Sequence, residues 1–271
     1  MVNALLAATL LLSAGSADAR PRFSYDHHRP LALRLGSAQT NDGVVRQPLT
    51  FDAGHGRKAA YWTHPVGNGP WPVVLLSPGS DGGAKTQLPD ADRLAGRGFA
   101  SLTVAPPRPL VTCRAAADIR AYVAYVVGRR RALDLLPKLS GADRTHVAAV
   151  GFSYGAAVTA TLAGVDHRLR GAVIQSGRAH LSAPLGAYCH STRYARAFSA
   201  VDPVHYISHS APVKLFFQNG LEDRLSPEAD VSALVRAANG PKDRLRYQAG
   251  HELNDVARAD RDAWLAQLFG G

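Results

Sequence analysis

The sequence predicts an α/β fold: a mostly parallel sheet with helices on both faces. Three observations carry this expectation. Short apolar runs without a polar alternate face recur at 72–76, 100–104, 146–150, 171–175 and 213–218, and such runs belong to strands buried on both sides. Helical periodicity fills the intervals between them, as at Ile119, Tyr122, Val126 and Val127. No internal repeat or low-complexity linker interrupts the 271 residues, so a single domain with one core is expected.

Taken in order, residues 4–15 are apolar and Ala17-Asp18-Ala19 follows. This pattern predicts a secretory signal of residues 1–19, cleaved after Ala19, and a secreted or periplasmic protein, although the segment before the apolar run lacks Lys and Arg. The run is shorter than the roughly 18 apolar residues of a membrane span, so stable insertion is not expected. Residues 20–48, with Asp26-His27-His28-Arg29-Pro30 and Asn41-Asp42-Gly43, read as an irregular lead-in to one α/β domain at 49–271. Two β-like runs at 49–52 and 58–64 flank Gly54-His55-Gly56 and predict an antiparallel hairpin.

After the turn Gly67-Asn68-Gly69-Pro70 the pattern becomes strand–helix alternation. A strand at 72–76 is followed by a helix at 88–94 that stops at Gly96, and a strand at 100–104 is closed by Pro106-Pro107. A long amphipathic helix is expected over 115–139, then strands at 146–150 and 171–175 with a helix between them. The stretch 178–210 exceeds a simple crossover. Its Tyr188, Tyr194, Phe198 and Tyr206 either pack a short helix pair into the core or line a pocket or small cap. A strand at 213–218, a helix near 229–238, a strand at 244–247 and a closing helix at 256–269 complete the pattern.

The net charge is 31 − 21 = +10, and +11 without residues 1–19, which contain Asp18 and no Lys or Arg. The basic residues are scattered; Arg129-Arg130-Arg131 is the only tight run and lies inside an expected helix. Aromatics are not interleaved with the charges as they are in single-strand binders, so the excess reads as an Arg-rich solvated surface and no nucleic-acid partner is expected. Cys113 and Cys189 either form one disulfide closing a long loop, as an exported protein allows, or remain two free thiols. His27-His28 lacks a suitably spaced carboxylate or cysteine, and neither His-Glu-x-x-His nor a phosphate-binding Gly-rich loop is present, so no metal or cofactor is expected.

The chemistry concentrates at strand ends. Gly151-Phe152-Ser153-Tyr154-Gly155 stands between the apolar run 147–150 and the small-residue run 156–160. Gly-x-Ser-x-Gly at a strand-to-helix junction is the pattern of a nucleophile elbow, in which a strained turn exposes the serine above the sheet edge. A serine hydroxyl is too weak an acid to attack an ester unaided; it needs a base, and the base needs a group fixing its tautomer. Both are expected after later strands. Asp223 follows the strand 213–218, with Glu222 as the neighbouring alternative, and Gly250-His251 follows the strand 244–247. Two backbone amides must hold the oxyanion. Tyr154 supplies one, and the loop Ser77-Pro78-Gly79-Ser80-Asp81-Gly82-Gly83 supplies the other, from Ser80 or else Asp81.

With the Ser80 loop, the Gly151–Gly155 elbow, Asp223 and Gly250-His251 assembled, the chain resembles the α/β-hydrolase superfamily over roughly residues 60–270. Within it, the chain is similar to the dienelactone-hydrolase-like and acetylxylan-esterase-like branch. The resemblance implies an α/β-hydrolase fold and a carboxylic ester hydrolase acting on a small or polymeric ester without cofactor. A serine peptidase or amidase using the same triad and a catalytically silent binding protein are the competing readings. Two departures matter. Dienelactone hydrolases proper use a cysteine nucleophile where this chain has Ser153, and Ser77-Pro78 replaces the common His-Gly, as in some lipases and cutinase-like polyesterases.

Overall fold

A computed structural model describes residues 20–270; the signal sequence expected at 1–19 lies outside the described residues. After a 3-10 turn at Arg20–Phe23 come strands β1 (Arg34–Leu35), β2 (Gln39–Asn41), β3 (Val44–Asp52), β4 (Arg57–Pro65) and β5 (Trp71–Ser77). Helix α1 (Leu88–Ala95), strand β6 (Ala100–Val104), helix α2 (Ala115–Leu133), strand β7 (Ala142–Phe152) and helix α3 (Tyr154–Val165) follow. Strand β8 (Gly171–Gln175) leads into helices α4 (Ser182–Tyr188), α5 (Thr192–Phe198) and α6 (Val204–Ile207). The chain ends with β9 (Lys214–Gly220), α7 (Glu228–Ala237), β10 (Lys242–Tyr247) and α8 (Asp255–Phe269).

The strands form one sheet in the order β1-β3-β4-β6-β5-β7-β8-β9-β10, with β2 paired to β3. From β6 to β10 every pairing is parallel, and β4 joins β6 antiparallel. This is the expected α/β architecture with an antiparallel N-terminal ribbon. Alternate side chains of the central strands feed the two faces. Val73, Leu75 and Ala149 pack with Ala156 and Ala160 of α3, whereas Val74, Leu76 and Val150 pack with Leu94 of α1 and Leu265 of α8. Burial on both sides is the reason these strands carry no polar alternate face. Among the described residues no helix is long and apolar enough to cross a membrane.

Three expectations need correction. The lead-in at 20–48 is not irregular throughout, because it holds β1, β2 and the start of β3, which reaches back to Val44. Strands of two and three exposed residues have too few positions to show a period, and only their pairing with β3 defines them. The long helix expected over 115–139 stops at Leu133, and a separate 3-10 turn at Leu136–Lys138 follows around Pro137, which has no N–H to extend the helix. The third correction concerns the arginine run.

Arg129 and Arg131 are each only 1% exposed rather than solvated. Three consecutive residues on a helix point in three directions about 100° apart, so a helix against the sheet turns some of them inward. Arg129 donates through Nε to Ser77 Oγ (2.9 Å) and through Nη2 to the Val104 carbonyl (2.8 Å), with its guanidinium 4.5 Å from the Tyr125 ring centroid. Arg131 donates to the carbonyls of Asp52, Asp26, Arg29 and Pro30, which ties the N-terminal segment to α2. Carbonyl oxygens in such number satisfy a guanidinium that has left water.

Candidate active site

Strand β7 ends at Phe152, and Ser153 opens α3 with φ +55°, a left-handed value that a non-glycine residue adopts only when its surroundings enforce it. The enforcement is visible. The Ser153 N–H is held 2.9 Å from the Gln175 carbonyl of β8. A Cβ at Gly155 would collide with the Ser77 and Pro78 carbonyls at the end of β5, so only glycine lets the start of α3 lie against that backbone. The turn therefore lifts the Ser153 side chain to the carboxyl edge of the parallel strands.

The two partners arrive from the ends of β9 and β10, two and three strands along the sheet from β7. His251, after β10, places Nε2 2.8 Å from Ser153 Oγ. Its Nδ1 faces Asp223, after β9, at 2.9 Å from Oδ2 and 3.0 Å from Oδ1. A carboxylate accepts only, so Nδ1 carries the proton and Nε2 presents its lone pair to the serine hydroxyl. The Asp223 side chain is fully buried, and its Oδ1 also accepts the Leu225 and Ser226 N–H groups at 2.9 Å each. Glu222 is turned away: it is exposed and accepts from Gln248. The structure thus brings together Ser153, His251 and Asp223, and leaves Glu222 outside.

Ser80 and Tyr154 border the same chamber as Ser153 and His251. A Cβ at Gly79 would stand 3.4 Å from Ser153 Cβ, which shows how closely the loop after β5 approaches the nucleophile. Arg108 fixes this loop by donating to the Ser80 and Gly82 carbonyls. Burial raises the Tyr154 phenol well above its ordinary value, so the ring stays neutral. Ser153 thus presents a hydroxyl that can lose its proton to an imidazole, with Ser80 of the loop after β5 and Tyr154 at the start of α3 beside it.

Two supports were not apparent from the sequence. Ser176, at the end of β8, also has positive φ (+52°) and donates through Oγ to the His251 carbonyl at 2.6 Å. Ser226 donates to the Ser176 carbonyl at 2.9 Å, which links the loop carrying Asp223 to the loop carrying His251. The only available signal was positional, since Ser176 follows its strand as Ser153 follows β7. The structure also joins Cys113 to Cys189, with Cα atoms 5.3 Å apart. In the 178–210 stretch, Tyr194, Phe198 and Tyr206 are buried against Phe23, Tyr122 and Tyr154, while Tyr188 is 71% exposed at the chamber mouth.

Known proteins share this fold. The chain superposes on the acetyl xylan esterase from Paenibacillus sp. R4 with a TM-score of 0.76 at 17% identity, covering 92% of each chain. Acetyl xylan esterase 1 from Thermoanaerobacterium sp. JW/SL YS485 gives 0.76 at 15% identity, covering 93% of this chain and 92% of that one. The glucuronoyl esterase from Solibacter usitatus gives 0.69 at 11% identity, with coverage of 93% and 92%. At these identities the likeness establishes the fold. No curated protein sequence matches the chain. The family model described as Esterase FrsA-like matches residues 34–192, which takes in Ser153 and ends before Asp223 and His251. Matching more than half of the chain, it makes this protein a member of the FrsA-like esterase family within the α/β-hydrolase superfamily.

Proposed function

We propose that the protein is a carboxylic ester hydrolase that works through an acyl-enzyme on Ser153. One observation carries the reading: a serine hydroxyl 2.8 Å from an imidazole whose other nitrogen faces a buried carboxylate. In the first step Ser153 Oγ bonds to the ester carbonyl carbon while His251 Nε2 takes the hydroxyl proton. The carbonyl oxygen becomes an oxyanion held by the Ser80 and Tyr154 amides. When the carbon–oxygen bond to the alcohol breaks, His251 returns that proton to the leaving oxygen. Water then bonds to the acyl carbon, again losing a proton to His251, and the acid departs as Ser153 regains its hydrogen. Asp223 holds the ring tautomer and stabilises the imidazolium.

Export belongs to the same proposal. The 1–19 signal pattern and a disulfide, a bond that persists in oxidising compartments, both support it. N-terminal sequencing of the exported protein then reads Arg20 first.

A fluorophosphonate probe separates an enzyme from a silent binder. The wild-type protein is expected to be labelled at one serine and to hydrolyse acyl esters faster than peptides. In Ser153→Ala labelling disappears, and turnover falls by roughly 10⁶, as removal of such a nucleophile does elsewhere. Equal labelling of the variant would overturn the assignment.

A further inference from the structure

The space around Ser153 divides into two unlike chambers. One, of about 820 Å³, is mainly apolar, with Pro109, Leu110 and Val111 on one wall and Leu181, Leu185 and Tyr188 on another, and with Asp81, Arg108 and Arg178 at its border. The other, of about 430 Å³, lies between the Ser80–Asp81 loop and His251 and is bordered by Thr86, Gln87 and Glu252. Ser153 and His251 border both. We infer that the apolar chamber is an acyl pocket and that the natural substrate carries a bulky apolar acid, not an acetyl group. The inference rests on the proposed esterase activity and adds the substrate class to it.

Size and surface chemistry point the same way. A two-carbon acyl group leaves most of 820 Å³ empty, and a volume of this order suits a drug-sized ligand. Large apolar side chains are exposed here for no packing reason: Tyr188 is 71% and Leu225 63% exposed, and both border this chamber. An apolar ligand removes that surface from water.

The walls are also held in place. Cys113–Cys189 ties the 105–114 loop, which carries one wall, to the end of α4, which carries the other. Asp118, itself buried, accepts from Thr112 and from the Tyr194 hydroxyl (2.9 Å), crossing the same gap. Asp202 accepts the Leu181 and Ser182 N–H groups at the start of α4. A preformed chamber loses little order when it is filled, so its size is expressed as selectivity.

The contrast between the chambers assigns the two halves of the ester. His251 must protonate the leaving oxygen but borders both chambers, so this step alone does not choose between them. The smaller chamber differs by the polar side chains of Thr86, Gln87 and Glu252. The alcohol is assigned to this smaller side by exclusion, because the larger and more apolar chamber suits the acyl chain. The apolar chamber extends from Ser153 past Tyr154, one of the proposed oxyanion donors, and is left for the acyl group.

The experiment is a series of p-nitrophenyl esters from acetyl to dodecanoyl, run beside acetate esters of alcohols of rising chain length and beside fluorophosphonate labelling. Burial of each methylene raises kcat/KM by up to about fourfold, so octanoate is expected to exceed acetate by roughly tenfold or more. Leu185→Trp, which fills the chamber, lowers the octanoate-to-acetate ratio of kcat/KM by a similar factor; Val111→Trp on the other wall repeats the test should the first variant fail to fold. Labelling of Ser153 with acetate preferred over every longer acyl ester overturns the inference and leaves the esterase reading standing. A flat acyl series with a steep dependence on the alcohol reverses the assignment of the chambers and equally overturns it. Absence of both labelling and ester turnover removes the esterase reading, and the inference with it.

Discussion

At Asp223 the proposed chemistry depends on a single hydrogen bond pointing the right way. An amide in its place can present N–H to Nδ1 and favour the wrong tautomer, so Asp223→Asn should lower kcat by about 10⁴ while circular dichroism stays native. Glu222→Gln should leave kcat within about twofold, because Glu222 faces Gln248 and not His251. Turnover of both variants by the same assay decides between the two acids, and the reverse result would reassign the role to Glu222. These positions were legible in the sequence because each follows an apolar run and has a glycine or a short loop beside it. Ser176 was not legible. Its contribution is a hydrogen bond to a backbone carbonyl 75 residues away, and backbone acceptors leave no trace in side-chain identity.

Among the elements, the wall formed by α4 is held by the Cys113–Cys189 bond, which closes a loop of 76 residues. In the chain-entropy account such closure is worth about 4 kcal/mol, or of the order of 10 °C in Tm for a domain of this size. The double variant Cys113→Ala/Cys189→Ala should melt lower by that amount, and added thiol should shift the wild type toward it without moving the variant. An unchanged wild-type Tm in thiol would show that the bond does not constrain the unfolded chain. Most elements could be read in advance because buried strands and amphipathic helices differ in period. Helix α2 could be read only in part: apolar spacing marked it, but the same residues gave no hint that Arg129 and Arg131 face carbonyls inside the molecule.

For the molecule as a whole, acid stability follows from carboxylates that are better served folded than unfolded. Burial pushes the Asp143 carboxyl up, but the Thr145 hydroxyl and amide and the His146 ring outweigh it and bring the group to about 2. Burial likewise raises Asp166, and the Arg168 and Arg130 guanidinium groups overcome it, leaving a net lowering. A folded pKa below the unfolded one means that stabilisation is complete above the ordinary carboxylate value near 4 and is lost as pH falls toward the folded value. Tm should therefore drop between about pH 4 and pH 2, with a shallower drop in Asp143→Asn; thermal melts across that range check it, and parallel curves would discount the group. The global architecture was the most legible feature of all, since five parallel strands buried on both faces dominate the hydropathy pattern. The exposed ribbon at β1 and β2 was the least, because edges held only by pairing carry no apolar signal.

Ser153 lies inside the segment bounded by residues 113 and 189, together with all of β7, α3 and β8. A protease that cuts a surface loop in that interval divides the polypeptide without releasing either piece. The two fragments stay crosslinked, the sheet keeps its strand order, and the nick becomes visible only once the sulfur bridge is reduced.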